Sequence, residues 1–399
     1  MIRVEEYLGE RGFAELEGSW LALHREAGAS PFLSPLWLGA WHRHLSSAHR
    51  IRLVAARDRG GDLIGLLPLF EQKHGAAGIP LALRLGFLGE KTGGADYLDL
   101  LALPAWRGEV VEAIVSHLVE DDALDLIDLF ELPADSALIP AFSRHALSRP
   151  DVEASLEPRY VCPQVELRGA WEEVLARSRR ASNLRRRWRQ ALAMGAEYRA
   201  VTEPAEARAA FERFLALHER RWEGEGGSDG IHTPAHIRFH HEVVEQLAKA
   251  RWLRFEELWI RGGCRASIYG IECGRTFYFY QSGFDPEWSA RSVGLVLLGM
   301  SMEQAVRRGL DIYDFLHGVE SYKLDWATRA TQTLRLRVAR RSAGAAWLLG
   351  LEGTERRMRG WVRSLLPEGA VDYLRRHRKA RRARLGGVSW EGGTRPSAV

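Results

Sequence analysis

The sequence predicts an α/β (α+β) chain: a mixed, mostly antiparallel sheet flanked by helices, built twice, with a basic helical C-terminal tail. Two observations carry this. First, hairpin runs joined by Gly-Gly turns recur. The first half has Ile51–Arg57, Arg59-Gly60-Gly61 and Leu63–Phe70; the second has Leu253–Ile260, Arg261-Gly262-Gly263 and Ala266–Glu272. Second, each set is followed by a helical stretch and a short strand, Leu124–Leu129 and Leu310–Phe315. Glycine pairs suit tight hairpins, and hairpins pair antiparallel. A helix between two strands marks a right-handed crossover to a parallel neighbour.

The elements follow in order. Pro35-Leu36-Trp37 and Trp41 lie in an early helix, and Val110–Leu118 has helical spacing. Residues 131–160, with their Pro and Ala, read as the boundary between the halves. The predicted division is therefore 1–160, 161–343 and a tail, 344–399. Arg177–Arg189 reads as a basic helix. Thr276–Gln281 is a third strand of the second half, set off by Gly274-Arg275. A helix over 293–308 closes on Gly309, and the next strand ends in a polar loop with Glu320, Tyr322 and Lys323. Alternation stops after Val338. The stretch 344–385 turns helical and Arg-rich, broken at Pro367-Glu368-Gly369.

Composition narrows the class. At 399 residues the chain has room for two or three domains. Its net charge of +4 conceals an asymmetry: residues 351–399 hold 12 Lys+Arg and 5 acids, leaving the rest of the chain at −3. The tail thus suits an anionic membrane face or RNA. Three cysteines make no disulfide framework or metal spacing, which suits a reducing compartment. The start, MIRVEEYLGERGF, lacks a signal-like apolar region, and no apolar run has the length of a span. The expectation is a cytoplasmic protein without an integral membrane segment, with a peripheral position at the inner membrane face as the alternative.

The motif with the most chemistry is the helix start at Ser292-Val293-Gly294 behind an aromatic strand. Free N–H groups and the peptide dipoles make such a start an anion cradle, and Gly294 lets a phosphate approach the main chain. The competing reading is an ordinary Ser-capped helix. On the basic helix, Arg185 and Arg189 share a face beside Trp188; they contact phosphate or bases, or simply face solvent. His236 and His240 stand at i,i+4 without an acidic or Cys ligand, so surface histidines are expected rather than a metal site. Gly224–Gly230 reads as a mobile lid or acceptor loop.

The sequence resembles the GNAT-type acyltransferases, and among them the CelD/BcsL-like acetyltransferases, relatives of the FemAB peptidyltransferases. The residues that carry the resemblance are spread over most of 1–340. They include Leu66-Leu67-Pro68-Leu69, Leu85–Gly89, Asp96-Tyr97-Leu98-Asp99, Asn183–Arg186, Phe214 with Arg220, Tyr280–Asp285, Ser292-Val293-Gly294, Tyr313-Asp314-Phe315 and Gly318 through Lys323. The resemblance implies tandem GNAT folds and transfer of an acyl group from acyl-CoA, acetyl-CoA in the first instance, to an amine or hydroxyl. It also implies a setting in exopolysaccharide or cell-envelope biosynthesis. Against the usual phosphate-binding signature of that superfamily, Arg291–Val296 keeps only the middle glycine. The FemAB branch uses aminoacyl-tRNA, so that donor is the second reading. A non-catalytic module in polysaccharide assembly is the third.

Acyl transfer needs a held donor, a polarised carbonyl and a deprotonated acceptor. Phe279, Tyr280 and Gln281 are expected to serve the donor through their main chain. Arg291, Ser292, Val293, Gly294, Leu295 and Lys323 are expected around its phosphates. Glu320 and Asp314 are the candidate bases and Tyr322 the candidate acid; the bland alternative makes Asp314 structural and Glu320 solvated. Asp96, Tyr97, Arg185, Arg220 and Trp222 are the expected contacts of a small-molecule or saccharide acceptor. No metal is expected. The first half is expected to be a degenerate copy on the acceptor side.

Overall fold

The computed structural model describes residues 2–46, 49–76, 79–223 and 231–365. The first half runs β1 (Arg3–Leu8), α1 (Gly9–Ala27), α2 (Pro35–Leu45), β2 (Arg50–Arg57), β3 (Leu63–Ala76), β4 (Ile79–Phe87), β5 (Leu101–Ala102), α3 (Arg107–Glu120), β6 (Leu126–Pro133) and α4 (Leu138–Ser148). The second runs β7 (Val152–Glu166), α5 (Trp171–Arg177), α6 (Ala181–Ala193), β8 (Glu197–Val201), α7 (Pro204–Glu223), α8 (Pro234–Lys249), β9 (Leu253–Ile260), β10 (Gly263–Cys273), β11 (Thr276–Phe284), α9 (Val293–Arg307), β12 (Ile312–Asp314), α10 (Ser321–Leu324), β13 (Arg329–Arg340) and α11 (Ala343–Leu365).

The repeat read from the sequence is present. Strands β2, β3 and β4 pair antiparallel, and α3 crosses to β6, which lies parallel to β4. Strands β9, β10 and β11 repeat the pattern, and α9 crosses to β12, parallel to β11. The β9–β10 turn is tight because Arg261 and Gly262 both take positive φ, 52° and 73°. The sheet order β1-β2-β3-β4-β6-β13-β7-β12-β11-β10-β9-β8 makes one continuous surface.

The exchange between the halves lies at the middle of that surface. Strand β13 of the second half crosses to pair with β6 of the first, while β7 pairs with β12 of its own half. β13 and β7 pair with each other from Arg340–Val152 to Arg329–Gln164. Residues 131–160, expected as a boundary, hold the end of β6, α4 and much of β7. Buried ion pairs pin the exchange: Arg335 of β13 donates to Asp128 of β6 at 2.6 Å, and Arg84 of β4 reaches the same carboxylate at 3.1 Å.

Strand β2 is buried from Ile51 to Ala56 because helices cover both faces of the sheet. Helix α1 places Phe13, Leu16, Trp20 and Leu23 on one face, at helical spacing, and ends on Gly28 with φ 62°. Helices α2 and α8 pack together beside the second half's sheet, where Trp37 meets Phe239 edge-on at 5.2 Å. His240 corrects the expectation of surface histidines: it is buried, with Nε2 3.3 Å from the Tyr280 hydroxyl, because its face of α8 is the packed one. Among the described residues no helix is long and apolar enough to cross a membrane. The expected loop Gly224–Gly230 and the tail beyond Leu365 lie outside the described residues.

Candidate active site

Strand β11 parts from its neighbour. It pairs with β12 only from Thr276 to Tyr278, although it continues to Phe284. From Phe279 onward its β12 side is an unpaired edge, whose main-chain groups must be satisfied elsewhere. A bulge at this point shifts the register, so that Tyr269 faces Gln281 while Gly270 faces Phe279. On the far side the chain after β12 turns to β7, where the Phe315 amide donates to the Pro163 carbonyl at 3.0 Å.

Helix α9 starts where β11 ends. Asp285, buried, accepts from Arg220 at 2.8 Å and from Arg265 at 3.1 Å, which fixes the turn after β11. A short 3-10 segment, Pro286–Arg291, leads to Ser292 in the left-handed region, φ 57° and ψ 39°. Ser292 makes no side-chain cap, contrary to the Ser-capped alternative. The first helical bond to the turn is the Val296 amide to the Ser292 carbonyl at 3.1 Å. The amides of Val293, Gly294 and Leu295 therefore have no acceptor among the described residues. A Cβ on Gly294 would meet only Phe284, at 3.5 Å, so the space beside the helix start is open.

A cavity of about 300 Å³ joins these two features. Phe279, Ser282 and Phe284 of β11 and Ala266–Ile268 of β10 form one wall, and Ser292, Gly294 and Leu295 form the head. Arg180, Asn183, Arg221, Tyr322 and Trp326 complete it. Arg221 donates to Ser282 Oγ at 3.1 Å and lies over the Phe284 ring at 5.1 Å. Trp326 is buried, and its indole N–H has no partner among the described residues. An unbonded donor, free helix amides and an unpaired strand edge fit a ligand that carries phosphates at one end and amides along its length. Burial raises the Tyr322 hydroxyl pKa, with the Glu320 charge adding to the effect, so the phenol stays protonated.

Of the residues singled out in the sequence, Phe279, Ser292, Gly294, Leu295 and Tyr322 line this cavity. Arg291 stands at its head, exposed, over the Trp288 ring at 4.8 Å. Val293 is buried behind the helix start. Tyr280 turns to the other face of the sheet, donating to the Gly93 carbonyl at 2.8 Å, and Gln281 lies half-buried on β11. Glu320 is outside the cavity, exposed and 3.1 Å from Lys323. Arg185 pairs with Glu172 on the surface at 2.5 Å. Arg220 is occupied by Asp285. Trp222 falls on α7, and its side chain lies outside the described residues.

Asp314, Asp96 and Tyr97 form a second cluster, at the junction of the halves. The Tyr97 hydroxyl and Gln164 Nε2 donate to Asp314 at 2.9 and 2.6 Å, and the Leu316 amide donates at 2.7 Å. Burial pushes the Asp314 carboxyl up to about 7, against the pull of those three bonds. Asp96, buried, faces His317 Nδ1 at 2.8 Å and accepts the His317 amide at 3.0 Å. Lys323 Nζ donates to the His317 carbonyl at 2.8 Å. Trp326, in a polar stretch of sequence, was readable as a cleft-lining aromatic, whereas neither His317 nor Gln164 stood out in the sequence. His317 is an isolated histidine in a loop, and its partner stands 221 residues away.

The first half is packed differently at the matching place. A Cβ on Gly65 of β3 would stand 2.2 Å from Val110 of α3, so the crossover helix lies directly on the sheet. Past the short β4–β6 pairing, Arg84 and Glu90 fill the space at 2.6 Å from each other.

A family model described as an acetyltransferase (GNAT) domain matches residues 177–324, which run from the end of α5 through α10 and include every cavity-lining residue but Trp326. FemX is similar in structure, with 11% identity, 81% of this chain and 95% of that chain covered, and a TM-score of 0.57. L-PGS from Bacillus licheniformis shares 11% identity over 85% of this chain and 95% of its own, with a TM-score of 0.52. A conserved protein of unknown function from Bacteroides thetaiotaomicron shares 10% identity over 85% and 100%, with a TM-score of 0.51. At these identities the likeness is one of fold. No curated protein matches the sequence. The second half thus matches a GNAT acetyltransferase model over 177–324, and the first half repeats its order of hairpin strands, crossover helix and parallel strand.

Proposed function

We propose that the chain transfers an acyl group, acetyl in the first instance, from acyl-CoA to an amine or hydroxyl of a small-molecule or saccharide acceptor. The observation that carries this reading is the cavity joining the unbonded amides of Val293–Leu295 to the free edge of β11. The thioester supplies an activated acyl carbon. The three amides, with Arg291 beside them, hold the diphosphate. The edge from Phe279 to Phe284 holds the pantetheine amides as an added strand would. Main-chain N–H groups near the bulge polarise the acyl carbonyl. The Tyr322 hydroxyl donates a hydrogen bond to the departing sulfur.

A second donor, aminoacyl-tRNA, is favoured by one feature. Helix α6 presents Arg185, Arg186 and Arg189 to solvent, and the chain that carries it sets Arg180 and Asn183 in the cavity wall. The inferred setting, exopolysaccharide or envelope synthesis on the cytoplasmic side, rests on the resemblance of the sequence to the CelD/BcsL-like branch. Calorimetric titration with CoA and a tRNA mobility shift separate the donors. CoA binding without a shift is the expected result; a salt-sensitive shift with no CoA binding would replace it with the second reading.

A further inference from the structure

We propose that His317, held by Asp96, is the general base of this transferase, and that the acceptor reaches it through the junction between the halves. The proposal rests on the acyl-transfer reading above and adds the residue that activates the acceptor.

The arrangement has the form of a catalytic dyad. Both Asp96 oxygens lie within reach of His317 Nδ1, at 3.0 and 2.8 Å. A carboxylate only accepts, so Nδ1 carries the hydrogen and Nε2 keeps its lone pair. Nε2 makes no hydrogen bond among the described residues, and the imidazole is 43% exposed while Asp96 is buried. A buried carboxylate behind an accessible imidazole is the order a base needs. The ring stacks on Tyr160 of β7, centroids 4.9 Å apart, which fixes its plane.

The backbone around the dyad is constrained on both sides. Tyr97, next to Asp96, has φ 60°, and Leu316, next to His317, has φ 56°. Glu131, whose carbonyl accepts the Leu98 amide at 3.1 Å, has φ 58°. Three non-glycine residues in the left-handed region around one side-chain pair store strain that packing has to hold. The Tyr97–Asp314 bond ties the two loops together beneath it. Lys323 ties His317 to α10, whose Tyr322 lines the donor cavity. One loop of the first half and one of the second therefore build the dyad, and α10 links it to the donor cavity, which gives the first half a chemical role in the proposal.

In the proposed step Nε2 takes the proton from the attacking amine or hydroxyl as its nitrogen or oxygen bonds to the acyl carbon. The carbon–sulfur bond breaks, its electron pair leaves on the thiolate, and the imidazolium returns the proton to that sulfur. The charged and titratable groups around His317 are Asp96, Lys323 with Glu320, Glu131 with Arg159, Tyr160 and Asp314. Burial lowers the His317 pKa, but the hydrogen bond and charge of Asp96 outweigh it and the net shift is upward.

The test uses the full chain with H317Q and D96N. Two readouts are taken beside a calorimetric titration with CoA. Acetyl-CoA cleavage is followed as released thiol, with water as the acceptor. Carbethoxylation of His317 is followed against pH by peptide mass spectrometry. The proposal predicts at least a hundredfold loss of turnover in H317Q, CoA affinity within about twofold, and loss of the acidic limb of the pH profile. In D96N the carbethoxylation midpoint moves down by one unit or more. Wild-type turnover and pH profile in H317Q would overturn the proposal, as would an unreactive His317 in the wild type. Failure of CoA to bind the wild type would instead overturn the acyl-CoA reading, and the carbethoxylation result would still decide whether Nε2 is a free base.

Discussion

Tyr97 and Asp314, 217 residues apart, share a hydrogen bond of 2.9 Å that joins the loop after β4 to the end of β12. Asp314 is buried, and the same burial lifts its pKa to about 7. Its folded value is above its unfolded one. The unfolded chain therefore binds fewer protons between about pH 4 and 7, and stability falls as pH rises through that window. The shift corresponds to roughly 4 kcal/mol at most. Asp314→Asn is expected to flatten this fall. Thermal unfolding of both proteins at pH 5 and pH 8 measures it, and equal pH dependence would remove Asp314 as the source.

Gly294 faces open space. Gly294→Val should fold normally, because the nearest atom to a Cβ is Phe284 at 3.5 Å. It should weaken CoA binding about tenfold or more, some 1.4 kcal/mol, by holding the diphosphate off the amides. Calorimetry beside thermal unfolding separates the two effects.

Tyr322 and Glu320 should behave differently. Tyr322 lines the cavity, while Glu320 is exposed and paired with Lys323. Tyr322→Phe is expected to lower kcat by about 10²-fold or more with little change in KM. Glu320→Gln should stay within about threefold. Steady-state kinetics on both variants checks the assignment, and a large Glu320 effect would return the base to that residue.

One chain should bind one CoA. In the first half Val110 lies against Gly65, which closes the space between α3 and β3. A calorimetric stoichiometry near two would show that the first half opens in solution.

The exchange of β13 is held by Asp128, where burial works against ionisation but Arg335 and Arg84 keep the carboxyl below its usual range. Asp128→Ala removes the carboxylate that both buried cations share, leaving Arg84 to Glu90 and Arg335 to Glu352, and should cost about 3 kcal/mol at neutral pH. The cost should shrink as acid protonates the wild-type carboxylate, because a depressed folded value contributes stability only above it. Chemical denaturation at two pH values reads this.

The repeat was legible in the sequence because Gly pairs and crossover helices are local signals, and so was the helix start behind Ser292. The central exchange was not legible, since nothing local tells β13 to pair with β6 and not only with its own half. The same reason hid His317. Asp96 was visible in its motif and Tyr322 in the polar loop, but the side chain that meets Asp96 is set by the junction of the halves. His240 read as a surface residue because no acidic or Cys ligand accompanies it in the sequence, but its face of α8 packs against Trp37 and Tyr280.

A crystal structure of the full chain with CoA tests the central claim most directly. The account predicts diphosphate oxygens within hydrogen-bonding distance of the Val293, Gly294 and Leu295 amides, and pantetheine along Phe279–Phe284. CoA bound elsewhere, with those three amides unengaged at saturating ligand, would contradict it.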